Sequence, residues 1–409
     1  MKRRRFLAHG AAILSAAPLG RPMSAVARTG GESRDGRREA LRTITLFLCG
    51  DLMTGRGIDQ ILRHPSRPQL YEPYVDSALE YVALAERGRA PLPRGVDPAY
   101  IWGDALRILA EVRPDARIVN LETAVTAHDT PWPGKGIQYR MHPANVNCLT
   151  AAALDCCVLA NNHVMDWGRE GLAETLATLH GAGLRTAGAG RDLREAVAPA
   201  VIDVADKGRV LVFAYGTRSS GIPADWAAGP RRPGVNLLDD LSPRGAEAVT
   251  RHVQAFRRDG DVVVLALHWG GNWGYAIRRD ERRFAQSLLD GGAVDVLHGH
   301  SSHHPKGIEV HRERTILYGC GDFLDDYEGI GGHEAYRGDL GAMYFPVLDA
   351  ATGRLLSFTM AATRIERFRV NRASDADAAW LTTVLDREGR QLGTRVERRE
   401  GNVLALAWN

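Results

Sequence analysis

Residues 294–307, VDVLHGHSSHHPKG, join an apolar run to four histidines within seven positions: His298, His300, His303 and His304. Histidine supplies 14 of the 409 residues, so this density marks a place where imidazole is put to use. Val294, Val296 and Leu297 read as a buried strand, and the histidines cluster at its carboxyl end. His298 falls inside the apolar run and is expected to point into the core with one polar partner. His304 precedes Pro305 and belongs to the periphery of any site or to the surface. That leaves His300 and His303 as a pair delivered by one strand end across a backbone turn.

Similar runs recur upstream: TITLFLCGD (43–51), ARIVNLE (116–122), DCCVLANNH (155–163), RVLVFAYG (209–216) and DVVVLALHWG (261–270). Most end in Gly, Asn, Asp, Glu or His. Between several of them lie helical patterns, notably REGLAETLATLHGA (169–182) and DERRFAQSLLD (280–290). Buried strands alternating with helices predict an α/β fold. GIEVHR, RTILYGCGDF, GAMYFPVLD and LLSFTMAATRIERF follow without intervening helices and predict hairpins, so a mixed α/β sandwich accounts for both halves. The rhythm is interrupted from about 57 to 104 by an insertion next to Asp51. The main domain is placed at 43–370, and the tail, 371–409, reads as a helix over 375–387 followed by a strand.

The chain begins MKRRRFLAHGAAILSAAPLGRPMSAVA. Arg3-Arg4 before Phe6-Leu7, a short apolar segment and Ala25-Val26-Ala27 together predict a twin-arginine export signal over 1–27. A polar, disordered lead is expected over 28–42. The formal charge of +3 drops to −2 once residues 1–27, with five basic and no acidic residues, are set aside. Nothing in that balance points to nucleic acid, and aromatics are too few for a single-strand stacking platform. Beyond residue 27 no apolar stretch approaches the ~18 residues of a membrane span. Five cysteines in so long a chain do not make a disulfide framework. Cys49, Cys156 and Cys157 lie in strand-like runs as small hydrophobes.

Ligands collect at the carboxyl ends of strands in α/β sheets. Those ends carry Asp51, then Asn120 and Glu122, then Asn161, Asn162 and His163, then His268, then His300 and His303. Carboxylate, amide oxygen and imidazole are ligands that borderline divalent metals accept. Each alone has an ordinary explanation as a cap or turn residue; five polar strand ends in succession do not.

GDLMTGR (50–56), NLE (120–122), ANNHVMDWG (160–168), HWG (268–270), GHSSH (299–303) and GCGDF (319–323) resemble the capsule-synthesis protein CapA family. That family is associated with poly-γ-glutamate capsule biosynthesis and is similar to the calcineurin-like metallophosphoesterases. The resemblance runs from about 43 to 330 and implies a four-layer metallophosphatase-like αββα sandwich with mixed sheets. It implies one or two divalent ions (Mn, Fe or Zn) held by Asp51, a bridging Glu122, Asn162, His268, His300 and His303, with His163 as general acid. Three departures from the phosphoesterase pattern stand out. Met53 replaces a histidine, Glu122 replaces an aspartate, and the last histidine pair is spaced i, i+3. Asn272 stands where many CapA-like sequences have glutamate.

The expectation is therefore an exported, periplasmic or secreted metal-dependent hydrolase or transferase. Its partner would be an anionic envelope polymer such as poly-γ-glutamate, together with other capsule-synthesis proteins. Arg56, Lys135 and Arg140 are candidates to engage its carboxylates, with solvated surface charge as the plainer reading. The alternatives are a periplasmic metallophosphoesterase and a non-catalytic accessory subunit that binds polyanion.

Overall fold

The computed structural model describes residues 42–408; the export signal expected over 1–27 and nearly all of the expected lead lie outside the described residues. The first strand, Thr43–Leu52, shows how the layers arise. Side chains alternate across a strand. Accordingly Ile44, Leu46 and Leu48 enter one core cluster, whereas Phe47 and Cys49 enter another. Both faces of the strand are thus covered.

This strand lies within a ten-stranded mixed sheet. On one side it runs parallel to Ala116–Leu121, then Cys156–Val158, then Arg185–Ala187. On the other it pairs antiparallel with Leu340–Asp349, which turns back into Leu355–Ile365 as the hairpin pattern predicts. A second sheet of seven strands is centred on Gly208–Thr217, Asp261–His268 and Val296–His300, all parallel. Val210, Val212, Ala214, Val262, Val264 and Ala266 share the core cluster of Ile44, Leu46 and Leu48, so the two sheets pack face to face.

Helices cover the outer faces. Asp104–Val112 and Gly168–Gly181 bury Ile108, Leu109, Leu172 and Leu176 with Phe47 and Val119 of the ten-stranded sheet. Pro243–Gln254 and Arg279–Asp290 bury Val249, Val253, Phe284 and Leu288 against Leu211, Phe213, Val263 and Leu265. The first of these two starts where it does because Ser242 Oγ accepts from Gly245 N and Pro243 occupies the first turn. The result is a four-layer αββα sandwich. Among the described residues no helix is long and apolar enough to cross a membrane.

The tail is built into this sandwich. Helix Asp375–Arg390 runs three residues past the predicted end and contributes Ala378, Leu381 and Leu385 to the inter-sheet core. After it come two strands, Thr394–Arg398 and Val403–Trp408, where the sequence suggested one; they form the edge of the ten-stranded sheet. The insertion contains one helix, Ala78–Glu86, capped by Ser77.

Short strand Asp322–Leu324 lies parallel to the end of the first strand, with Asp322 opposite Asp51. The approach requires glycine: a Cβ on Gly50 would stand 1.8 Å from the Gly321 carbonyl oxygen. That carbonyl accepts a hydrogen bond from Asp51 N at 2.9 Å. CGD and GCGDF are therefore two halves of one backbone contact.

Candidate metal centre

Parallel strands present their carboxyl ends on one side, and register makes the groups meet: Asn120 lies opposite Asp51, and His300 opposite His268. Asp51, Glu122 and His268 are buried and each offers a ligand atom, all within 4.8 Å of one another. Two asparagines hold this arrangement. Asn120 Nδ2 donates to Asp51 Oδ1 at 2.8 Å and to Glu122 Oε2 at 3.1 Å. Asn161 Nδ2 donates to Asn120 Oδ1 at 3.0 Å, while its own oxygen accepts from the backbone N–H groups of His163 and Val164. Both amides are thereby committed to the frame. Asn162 keeps its oxygen for the site, 3.0 Å from His268 Nε2.

The electrostatics are unusual for a protein interior. Burial pushes Asp51, Glu122 and Asp322 above the ordinary carboxyl range, Glu122 and Asp322 far above it, with the charge of Asp51 adding to the rise in both. Among the described residues no lysine or arginine forms an ion pair with any of the three. Burial also holds His268 and His300 well below the usual imidazole range, so neither supplies positive charge. A cluster of carboxylates and neutral imidazoles is chemically suited to a divalent cation, which would compensate the charge that the protein leaves uncompensated.

The remaining histidines divide by partner. His163 faces Asp166 through Nδ1 at 2.6 Å and Glu122 Oε1 through Nε2 at 3.9 Å. Burial lowers it to about 4, against the pull of Asp166. His298 lies in the core with Nε2 on the Cys49 carbonyl at 2.7 Å, as expected of a residue inside the apolar run. His300 places Nε2 3.1 Å from His298 Nε2 and lies beside the His268 ring. His303 turns Nδ1 to both oxygens of Asp322 at 3.0 Å and Nε2 to the Asn272 amide at 3.0 Å. Asn272 thus has a place: it holds His303 at the cavity wall. His304 accepts from Gly274 N away from the carboxylates.

Glu122, Asn162, His163, Asn272, Ser301 and His303 line a cavity of about 260 Å³, together with Lys135. Lys135 Nζ reaches Asp166 Oδ1 at 3.0 Å and the Ile137 carbonyl at 3.1 Å, so its charge stands at the rim. Arg56 and Arg140 are held elsewhere. Arg56 is buried between Asp326 and Glu72 and lies over the Tyr81 ring at 3.6 Å. Arg140 bonds Asp129 and the carbonyls of His128 and Arg67 and stacks on Trp167. Neither is the solvated surface charge that composition alone suggests, and both guanidinium groups already have protein carboxylates. Met53 is fully buried, its sulfur 3.8 Å from the Tyr327 hydroxyl.

Asp166 and Asp322 are the residues sequence reasoning passed over. Both stood inside motifs already quoted, three residues after His163 and fourth in GCGDF, but a carboxylate behind an imidazole has no signature apart from that spacing.

A family model described as bacterial capsule synthesis protein PGA_cap matches residues 45–327. A "probable polyglutamine synthesis accessory protein" of Mycobacterium tuberculosis is 48% identical over 366 residues, covering 89% of this chain and 96% of that one. The PGA biosynthesis protein CapA of Bacillus subtilis is 26% identical over 284 residues, 69% of this chain and 63% of its own. Among solved structures, a phosphatase from Mycoplasma pneumoniae aligns with a TM-score of 0.42 at 10% identity, covering 83% and 97% of the two chains. With a matching motif order and a family match over more than half its length, this chain belongs to the bacterial capsule synthesis protein family, PGA_cap.

Proposed function

We propose that this protein is an exported, metal-dependent hydrolase or transferase that makes or processes a capsule polymer, poly-γ-glutamate or a related envelope polyanion. The observation that carries the reading is the convergence of Asp51, Glu122 and His268 within 4.8 Å, with no lysine or arginine among the described residues paired to the carboxylates. Asn162 and His303 line the same cavity as further candidate ligands, whereas His300 turns Nε2 to His298 and would have to rotate to serve as one. A divalent ion held there by Asp51, Glu122 and His268 would supply positive charge for polarising a substrate oxygen and acidifying water. His163 manages a proton. Asp166 accepts from Nδ1–H, which leaves the Nε2 lone pair on the cavity side. With its pKa lowered to about 4, the ring is neutral at pH 7 and its resting role is to accept a proton rather than donate one. Lys135, fixed by Asp166, offers its ammonium at the rim to a carboxylate or phosphate.

The name of the Mycobacterium tuberculosis relative favours a second reading, an accessory subunit that binds the polymer without transforming it. Elemental analysis of protein purified without chelators, followed by a panel of poly-γ-glutamate and phosphoesters, separates the readings. No metal above background overturns the metal-dependent one; bound metal with no turnover on any polymer favours the accessory one. Export is proposed from Arg3-Arg4 and Ala25-Val26-Ala27. Changing both arginines to lysine should trap the precursor in the cytoplasm, and unchanged export of the variant rejects the twin-arginine route.

A further inference from the structure

A cavity of about 350 Å³, within the ordinary size of small-molecule sites, adjoins the metal centre. Tyr327 lines both spaces, and the Trp273 ring on its wall lies 5.4 Å from that of His303. Trp273, Tyr327, Ile330 and His333 form one part of a lining that also includes eight charged residues, and His333 stacks on Trp273 at 4.0 Å. Ile330 is 49% exposed at this wall, an apolar side chain that no segment of the described chain covers.

Each arginine around the cavity is already paired with a carboxylate. Arg89 pairs with Glu328 at 2.7 Å, and Arg337 with Asp339 at 2.8 Å and Asp377 at 2.7 Å. Arg364 reaches Asp377 at 3.3 Å and Asp339 at 3.4 Å. Five carboxylates line the space against these three arginines. An entering carboxylate would meet no free cation and would be repelled by the surplus acids. An apolar group would gain the burial of Trp273 and Ile330, worth roughly 25 cal/mol per Å².

We infer that this cavity is a second subsite, beside the metal centre across Tyr327, that receives an uncharged apolar part of the ligand and excludes consecutive carboxylates. The inference rests on the metal-centre reading only for the ligand's orientation, polar head at the metal and apolar part here. It follows that a polyanion chain does not thread this cavity. Such a polymer reaches the centre from the Lys135 side, or the true ligand carries an apolar group beside its reacting end.

The test uses the full mature chain labelled with 5-fluorotryptophan, the Trp273 signal being assigned by Trp273→Phe. Benzyl alcohol, which has no anionic head, should shift that signal saturably with or without Mn²⁺, and free glutamate should leave it unmoved. Ile330→Glu, at an exposed position that the fold tolerates, should weaken the benzyl alcohol response at least tenfold. With Mn²⁺ bound, phenylphosphonate should bind at least tenfold tighter than methylphosphonate, and Ile330→Glu should abolish that preference. A Trp273 signal indifferent to benzyl alcohol, or as responsive to glutamate, overturns the subsite. Failure to bind Mn²⁺ removes the metal reading and leaves the benzyl alcohol result to decide the cavity.

Discussion

His163 is set between two carboxylates, Asp166 at 2.6 Å and Glu122 at 3.9 Å, and only the first is a hydrogen-bond partner. That asymmetry fixes which nitrogen faces the cavity. His163→Gln should lower turnover on the capsule polymer by about 10²–10⁴-fold, the usual contribution of a proton-transferring side chain, while metal content and melting temperature stay unchanged. A drop that merely tracks lost metal or lost fold would reject the role. Arg56 belongs to the opposite class. Its buried guanidinium serves Asp326 and Glu72, so Arg56→Ala should cost about 3–5 kcal/mol in urea unfolding by stranding two carboxylates. Asp59 gives a pH test. Burial raises it from 3.8 to about 6, although its oxygens accept from His142 N, Ser66 N and Asn145. A carboxyl with a raised folded pKa favours the native state below its unfolded pKa and loses that contribution as pH rises through about 6. The stability of Asp59→Asn relative to the parent should therefore shift in the variant's favour by about 2–3 kcal/mol between pH 4 and pH 7. A flat difference across that range would show that Asp59 titrates normally.

At the scale of elements, the end of the chain depends on one aspartate. Asp386, on the helix Asp375–Arg390, accepts from Arg395 Nε at 2.7 Å, from Val396 N at 3.1 Å and from Arg390. The bonds from Arg395, Val396 N and Arg390 lower its pKa to about 2, so its stabilising effect is present above 3.8 and fades as pH falls through about 2. Asp386→Ala should destabilise by about 1–2 kcal/mol at pH 7 and raise amide exchange in residues 394–408 before the rest of the sheet. Equal protection of that hairpin in parent and variant would show that the inter-sheet packing of Leu381 and Leu385 is sufficient to hold it. The helix itself was legible from its composition. The division of the tail into two strands was not, because only the pairing of Val403–Trp408 with Thr394–Arg398 and Leu355–Ile365 shows where each strand lies.

Over the whole molecule, the candidate metal centre would trade stability for capacity. Three carboxyl groups are crowded together in the interior, so metal-free Glu122→Gln should melt higher than the metal-free parent. Mn²⁺ or Zn²⁺ should raise the parent's melting temperature in proportion to the logarithm of free metal, by linkage, and should leave Glu122→Gln and His268→Ala nearly unmoved. A parent indifferent to every divalent ion tried would count against the centre. The sequence by itself determined the α/β class, the covered faces of the strands and the polar groups at their ends, because side-chain alternation and strand termini are local properties of the chain. It also placed His298 in the core from its position inside an apolar run. What only the tertiary structure decided depends on register and long-range approach. Gly50 against Gly321 brings Asp322 beside Asp51, and Asp166 and Asp322 stand behind imidazoles. Arg56 and Arg140 turn to carboxylates of the protein itself, because the fold brings Asp326 and Glu72 to the one and Asp129 to the other.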